Sequence, residues 1–149
     1  MDKETAFSKL QYYCAYQERC ESEVLDKLHS LDVDINYFFD IIISLREENY
    51  LNEQRFACTF AGSKFRLKKW GRNKIRQHLK QKKVKQEFID IAFEKEIDEE
   101  DYMEMLRNLA DKKAASLRSE KNIFRKRQKI TNFLLQKGFE NYLIREVLP

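Results

Sequence analysis

The chain has 149 residues, 42% hydrophobic and 36% charged, with one Pro, three Gly and a formal net charge of +4. That apolar content excludes wholesale disorder, and the scarcity of breakers and strand chemistry points to an all-helical protein with much solvated surface. The longest apolar run, Tyr37-Phe38-Phe39 and then Ile41-Ile42-Ile43 after Asp40, is too short to cross a bilayer. MDKETAF is no secretory signal, and three cysteines without C-x-x-C spacing make no disulfide framework, so a reducing, cytoplasmic setting is expected.

In chain order, a first helix is expected over roughly Glu4 to Gln17, with Phe7, Leu10, Cys14 and Ala15 inward. A second starts near Cys20, where Glu23 stands at the position of a capping-box acid although cysteine is a poor cap. From there the apolar positions Val24, Leu28, Val33, Phe38 and Ile42 follow spacings of +4, +5, +5 and +4. The same spacings recur at Ile75, Leu79, Val84, Ile89 and Phe93, and again at Ile130, Leu134, Phe139, Ile144 and Leu148. An i, i+4 pair marks one helix face, and a step of five crosses a short turn, here LDVD, KKVK and KGFE. Gly138 supplies a left-handed C-cap in the third turn.

Each skeleton has a helix upstream. In the second it runs roughly from Glu53 to Lys68, opened by Asn52 and carrying Phe56, Phe60 and Phe65. In the third it runs roughly from Glu99 to Leu117, with Met103, Leu106, Leu109 and Ala110 inward. The expected fold is an all-α, elongated and curved tandem array of three three-helix repeats, over residues 1–51, 52–97 and 98–149.

Charge is unevenly spread. Residues 1–54 hold five basic and twelve acidic residues, a net of −7, and residues 55–149 a net of +11. Between Lys64 and Lys85 lie eleven Lys/Arg and no acid. At 100° per residue, Lys69, Arg72, Arg76, Lys80 and Lys83 fall within roughly an 80° arc beside Ile75 and Leu79. Arg66 and Lys68, at the end of the helix before, extend that stripe. The plain alternative is a solvated helix face. Against it, no acid offers an intrahelical partner, and like charges at i, i+4 cost a few tenths of a kcal/mol each. A second basic block, 112–129, holds eight bases and one acid. Such asymmetry favours an acidic partner, often nucleic acid. Trp70, at the corner, reads as core more than as a stacking platform.

Catalysis finds little support. His29 and His78 lack metal-spaced neighbours, Gly62, Gly71 and Gly138 are isolated, and FAGSKF lies inside an expected helix. The acids at 98–101 lack the spacing of a calcium loop and suit a helix N-terminus. No catalytic residue, metal site or cofactor is expected, and Cys14, Cys20 and Cys58 read as core or incidental.

The stretch from Tyr50 to Val84, YLNEQRFACTFAGSKFRLKKWGRNKIRQHLKQKKV, resembles the signature of the bacterial RecX regulators. Leu51, Asn52, Glu53, Arg55, Phe56 and Ala57 match its opening; Gly71, Lys74, Ile75, Leu79, Lys82 and Val84 match the rest. LLQKGFENYLIREVL (134–148) looks like the closing repeat. Lys83 departs from the pattern, standing where the family usually has Gly. The resemblance implies a modulator that binds the RecA–DNA filament and restrains its recombinase, ATPase and co-protease activities. A monomer is the default for such a modulator. The expected contacts to the filament, or to single- or double-stranded DNA, are Arg55, Lys64, Arg66, Lys68, Lys69, Arg72, Arg76, Lys80 and Lys83. The competing reading is a direct DNA binder with helix–turn–helix-like units, and a third is a structural adaptor.

Overall fold

A computed structural model describes residues 1–148. Among them every regular element is helical. The helices are α1 (Lys3–Tyr16), α2 (Glu21–Ser30), a 3-10 turn (Ile35–Tyr37), α3 (Phe38–Glu47), α4 (Glu53–Arg66), α5 (Arg72–Gln81), α6 (Gln86–Glu96), α7 (Glu99–Ser116), α8 (Ile123–Lys137) and α9 (Asn141–Val147). They form three successive triplets.

Caps set the starts. The side chains of Asp2, Asn52, Asp98 and Asn122 each accept a backbone N–H in the first turn of their helix. At α2 the backbone N–H of Cys20 donates to Glu23 Oε1 at 3.1 Å, so the acid does the capping that the cysteine does poorly.

The three inter-helix turns share one geometry. Asp32, Lys83 and Gly138 take positive φ, at 53°, 63° and 99°. The next residue, Val33, Val84 or Phe139, donates its N–H to the carbonyl of Leu28, Leu79 or Leu134. This is the left-handed C-cap expected at Gly138, and Asp32 and Lys83 adopt it without glycine. All fifteen skeleton positions but Phe93 and Leu148 are buried, and those two are half-buried.

Three inward assignments differ, the first being Phe7, which is half-buried. Ala15 is exposed and Ala6 is fully buried in its place, because α1 packs along 6, 10 and 14. Tyr102, in register with Leu106, is fully buried, whereas Met103 is half-buried. Helix α4 stops at Arg66, two residues early. Lys69 turns to φ 58°, and the N–H of Trp70 donates to the carbonyl of Lys64.

The core is in two parts. One comprises residues of the first triplet and its turns alone, from Ala6 to Leu51. The other runs through α4–α9 and takes in only Cys20 from the first triplet. The second and third triplets are therefore fused, and the first is docked on them. The accessible surface is 9406 Å², against about 8,100 Å² expected for a compact monomer of this mass. The surplus fits a row of units.

Candidate polyanion interface

Helix α5, RNKIRQHLKQ, contains no acid. Ile75 and Leu79 bury its inner face and divide its cations into two flanks. On one flank lie Arg72, Arg76 and Lys80; on the other lie Lys74, His78 and, just past the helix, Lys82.

The expected continuous stripe is broken at Arg72. Its side chain is only 14% exposed. Nη1 meets Glu99 Oε1 at 2.7 Å, Nε meets Glu140 Oε2 at 2.8 Å, and the guanidinium lies 4.0 Å over the Tyr102 ring. The Arg72 N–H donates to the Tyr102 hydroxyl, which donates to Glu140. Burial and that acceptor hold the Tyr102 phenol well above its ordinary value, so it remains a donor. Arg72 thus clasps the second triplet to the third and is removed from the solvent-facing set. The reason is angular: it lies closest to the Ile75–Leu79 face.

Two more arginines are engaged inside the chain. Arg55 pairs with Glu18 at 2.6 Å and donates to the carbonyls of Asn49 and Tyr50, tying α4 to the first triplet. Arg66 lies 3.7 Å from Glu96 but is 58% exposed. Lys69 lies in the left-handed corner before α5 and Lys83 in the turn after it, so neither continues the helical arc. Both are exposed, as are Lys68 and Lys80. Arg76 spans outward, bonded to Asn73 Oδ1 at 2.9 Å, with its guanidinium 5.2 Å from the Phe93 ring centre.

Lysines from three helices gather at the corner instead. Trp70, half-buried, holds the Lys74 ammonium 4.5 Å and the Lys64 ammonium 5.1 Å from its ring. The His78 ring packs 4.6 Å from it. Lys137, from the third triplet, reaches the carbonyl of Lys68 at 3.1 Å. Burial, then the Lys74 and Lys69 charges, push the Lys137 ammonium below its ordinary value. Burial, then Lys74, Lys64 and Lys82, do the same to the His78 imidazole. Burial is the larger cause in both, and the neighbouring like charges add to it. Among the described residues, Lys64, Lys69, Lys74 and Lys137 have no carboxylate within 4 Å.

Lys74 and Lys137 were not among the expected contacts. Lys74, His78 and Lys82 are spaced i, i+4 and signal a second flank. Lys137 gave no such signal, because it arrives through a close backbone approach. The Gly71 N–H donates to the Lys137 carbonyl at 2.7 Å and the Asn73 N–H to the Gly138 carbonyl at 2.9 Å.

Cys14 and Cys20 are core groups, where burial pushes the Cys14 thiol up to about 11 and Cys20 in the same direction, and Cys58 is half-buried against the core. Among the described residues no group of three or more His, Cys, Asp or Glu could hold a metal ion, and no helix is long and apolar enough to cross a membrane.

Comparison with known proteins agrees with this architecture. Residues 52–92 match the family model of the RecX second three-helix domain, and residues 99–148 that of the third. The chain is 35% identical over 131 residues to the regulatory protein RecX of Clostridium botulinum (strain Eklund 17B / Type B), covering 87% of this chain and 60% of that protein. It is 29% identical over 136 residues to the regulatory protein RecX of Limosilactobacillus reuteri (strain DSM 20016), covering 91% of this chain and 51% of that protein. The chain therefore spans about half the length of the curated relatives it matches. The crystal structure of RecX from Lactobacillus salivarius superposes with a TM-score of 0.87 at 26% identity, over 97% of this chain and 93% of that one. With two consecutive family domains aligned on α4–α6 and α7–α9 and the whole path of the backbone shared, this chain belongs to the RecX family.

Proposed function

We propose that this chain is a non-enzymatic regulator that binds the RecA–DNA filament and restrains its recombinase, ATPase and co-protease activities in the cytoplasm, as a monomer. The observation that carries the reading is the gathering of Lys64, Lys74 and Lys137 around the Trp70 corner. Those lysines come from three helices to one corner, none has a carboxylate within 4 Å among the described residues, and α5 itself contains no acid. Like charges held together cost free energy until a polyanion arrives. The contacts are Lys64, Lys68, Lys69, Arg76, Lys80 and Lys83, joined by Lys74 and Lys137. Arg55 and Arg72 serve the fold, and Arg66 sits at the edge. Regulation follows from differential affinity: a ligand that prefers one filament state shifts the equilibrium toward it by the ratio of its affinities.

The test is RecA-catalysed ATP hydrolysis on single-stranded DNA. Lys64→Glu with Lys74→Glu should abolish restraint of the ATPase while circular dichroism stays unchanged. Full restraint by that folded variant would reject the assignment. Capture on single-stranded DNA with and without RecA separates the competing reading. Tight, steeply salt-dependent binding without RecA that Lys64→Glu with Lys74→Glu abolishes, with a slope near −0.9 per phosphate contact on duplex DNA, marks a direct DNA binder at this corner.

A further inference from the structure

The first triplet is acidic, yet one of its faces is not. A cleft of about 570 Å³ opens between α1 and α2, and every charged residue lining it is basic: Lys9, Arg19 and Lys27. These are three of the five basic residues in 1–54. The other two, Lys3 and Arg46, are paired with Asp40 and Glu21 elsewhere. Among the described residues, no carboxylate lies within 4 Å of Lys9, Arg19 or Lys27. The triplet has thus neutralised the cations outside this cleft and kept those inside it.

Three tyrosines share the cleft. Tyr12 and Tyr16, 75% and 73% exposed, stand i, i+4 on α1, so their rings project from one face with Cβ atoms about 6 Å apart. Tyr13 between them is half-buried and organises the charge. The Arg19 guanidinium lies 3.7 Å over its ring and the Lys27 ammonium 5.3 Å away. Arg19 Nε also donates to the Tyr13 carbonyl at 3.1 Å. Arg19 is therefore fixed in place before any ligand binds, Lys27 lies beside it, and two aromatic faces stand open next to them. Neither open ring serves the core, which α1 contributes to through Ala6, Leu10 and Cys14.

Exposed aromatic faces interleaved with positioned cations are the chemistry of single-stranded nucleic acid binding, in which bases stack and phosphates meet ammonium and guanidinium groups. An acidic peptide would use the cations and leave the rings idle. We infer that the α1–α2 face of the first triplet is a binding site for single-stranded nucleic acid, with Tyr12 and Tyr16 as stacking platforms and Lys9, Arg19 and Lys27 as phosphate contacts. It is separate from the Trp70 corner and needs no RecA, so it stands or falls independently of the proposed function.

The test is fluorescence anisotropy of a labelled oligo-dT of about 16 nucleotides, the upper end of one stacking site, titrated with the full chain without RecA at several salt concentrations. Tyr12→Ala with Tyr16→Ala should raise Kd about tenfold or more, the loss expected for one or more stacked bases, and leave the salt slope in place. Lys9→Gln with Lys27→Gln should flatten the slope by about 1.4, two single-strand phosphate contacts. Both rings are exposed, so an unchanged melting temperature checks the fold. The tyrosine effect should persist when Lys64→Glu and Lys74→Glu are also present. A folded tyrosine variant that binds as the parent does overturns the inference. So does an oligoglutamate peptide that displaces oligo-dT from the parent and binds both tyrosine variant and parent equally.

Discussion

Arg72 shows how a residue can look like a ligand contact and be a structural pin. It sits in the densest basic run of the chain, but its side chain is answered by Glu99 and Glu140, 27 and 68 residues away. Breaking a largely buried pair strands the partner charges, so Arg72→Ala should cost about 3 kcal/mol in urea unfolding. Arg76→Ala, on the same helix but pointing outward, should change stability by about 0.5 kcal/mol or less. Charge reversal at Arg72 would put a third carboxylate beside two others, so a binding defect in that variant would report misfolding. His78 offers a second residue-level readout. Part of its depression comes from Lys74 and Lys64. Replacing Lys74 by Ala should therefore raise the imidazole pKa in an NMR titration, and adding a polyanion to the parent should raise it further. In the free protein the depressed value means that the neutral ring is favoured by folding. That contribution is present above the unfolded pKa and fades as pH falls through the folded one.

At the scale of elements, the turns decide how triplets meet. Lys83 holds φ 63° where glycine would be easier, and Gly138 holds φ 99°. Gly71 is different: its φ is −78°, open to any residue. Its need is room, since a Cβ there would overlap the Gly138 carbonyl and stand 2.5 Å from the Phe139 amide nitrogen. Backbone cannot yield as a flexible side chain can. Gly71→Ala should destabilise the protein by roughly 2–3 kcal/mol, the upper range for overpacking, as read from the urea midpoint. The same substitution should displace Lys137 from the Trp70 corner and so weaken polyanion binding alongside stability.

For the whole molecule, the seam between the first triplet and the fused pair is polar. Ser22 donates to the Lys82 carbonyl at 2.7 Å, Lys82 pairs with Glu23 at 3.2 Å, and the Glu21 N–H donates to Glu53 Oε1 at 2.6 Å. A separate core on each side makes the first triplet the part that should exchange its amide hydrogens at lower cost. Glu53 gives the seam a pH dependence. Burial, with Glu21 and Glu23 nearby, lifts its carboxyl above the ordinary 4.5. A raised carboxyl favours the fold when protonated, so this contribution is complete below the unfolded value and is lost as pH rises through the folded one. Glu53→Gln keeps the Oε1 acceptor without the charge. It should raise the urea midpoint at pH 7, with the difference from the parent shrinking as pH falls through the raised folded value toward 4.5.

The spacing of apolar residues, the caps at Asn52 and Glu23, and the glycine of the third turn were enough to give the helices, their order and the threefold repetition. Those features depend on contacts within a few residues along the chain. Family membership was legible for the same reason, because the motif from Leu51 to Val84 is local. Which cations stay available was decided only in three dimensions. Glu140 reaches Arg72, Glu18 reaches Arg55, and Lys137 reaches the Trp70 corner across 68, 37 and 69 residues respectively. A helical wheel gives the direction of a side chain from its own axis, but not the carboxylate that another helix brings to meet it.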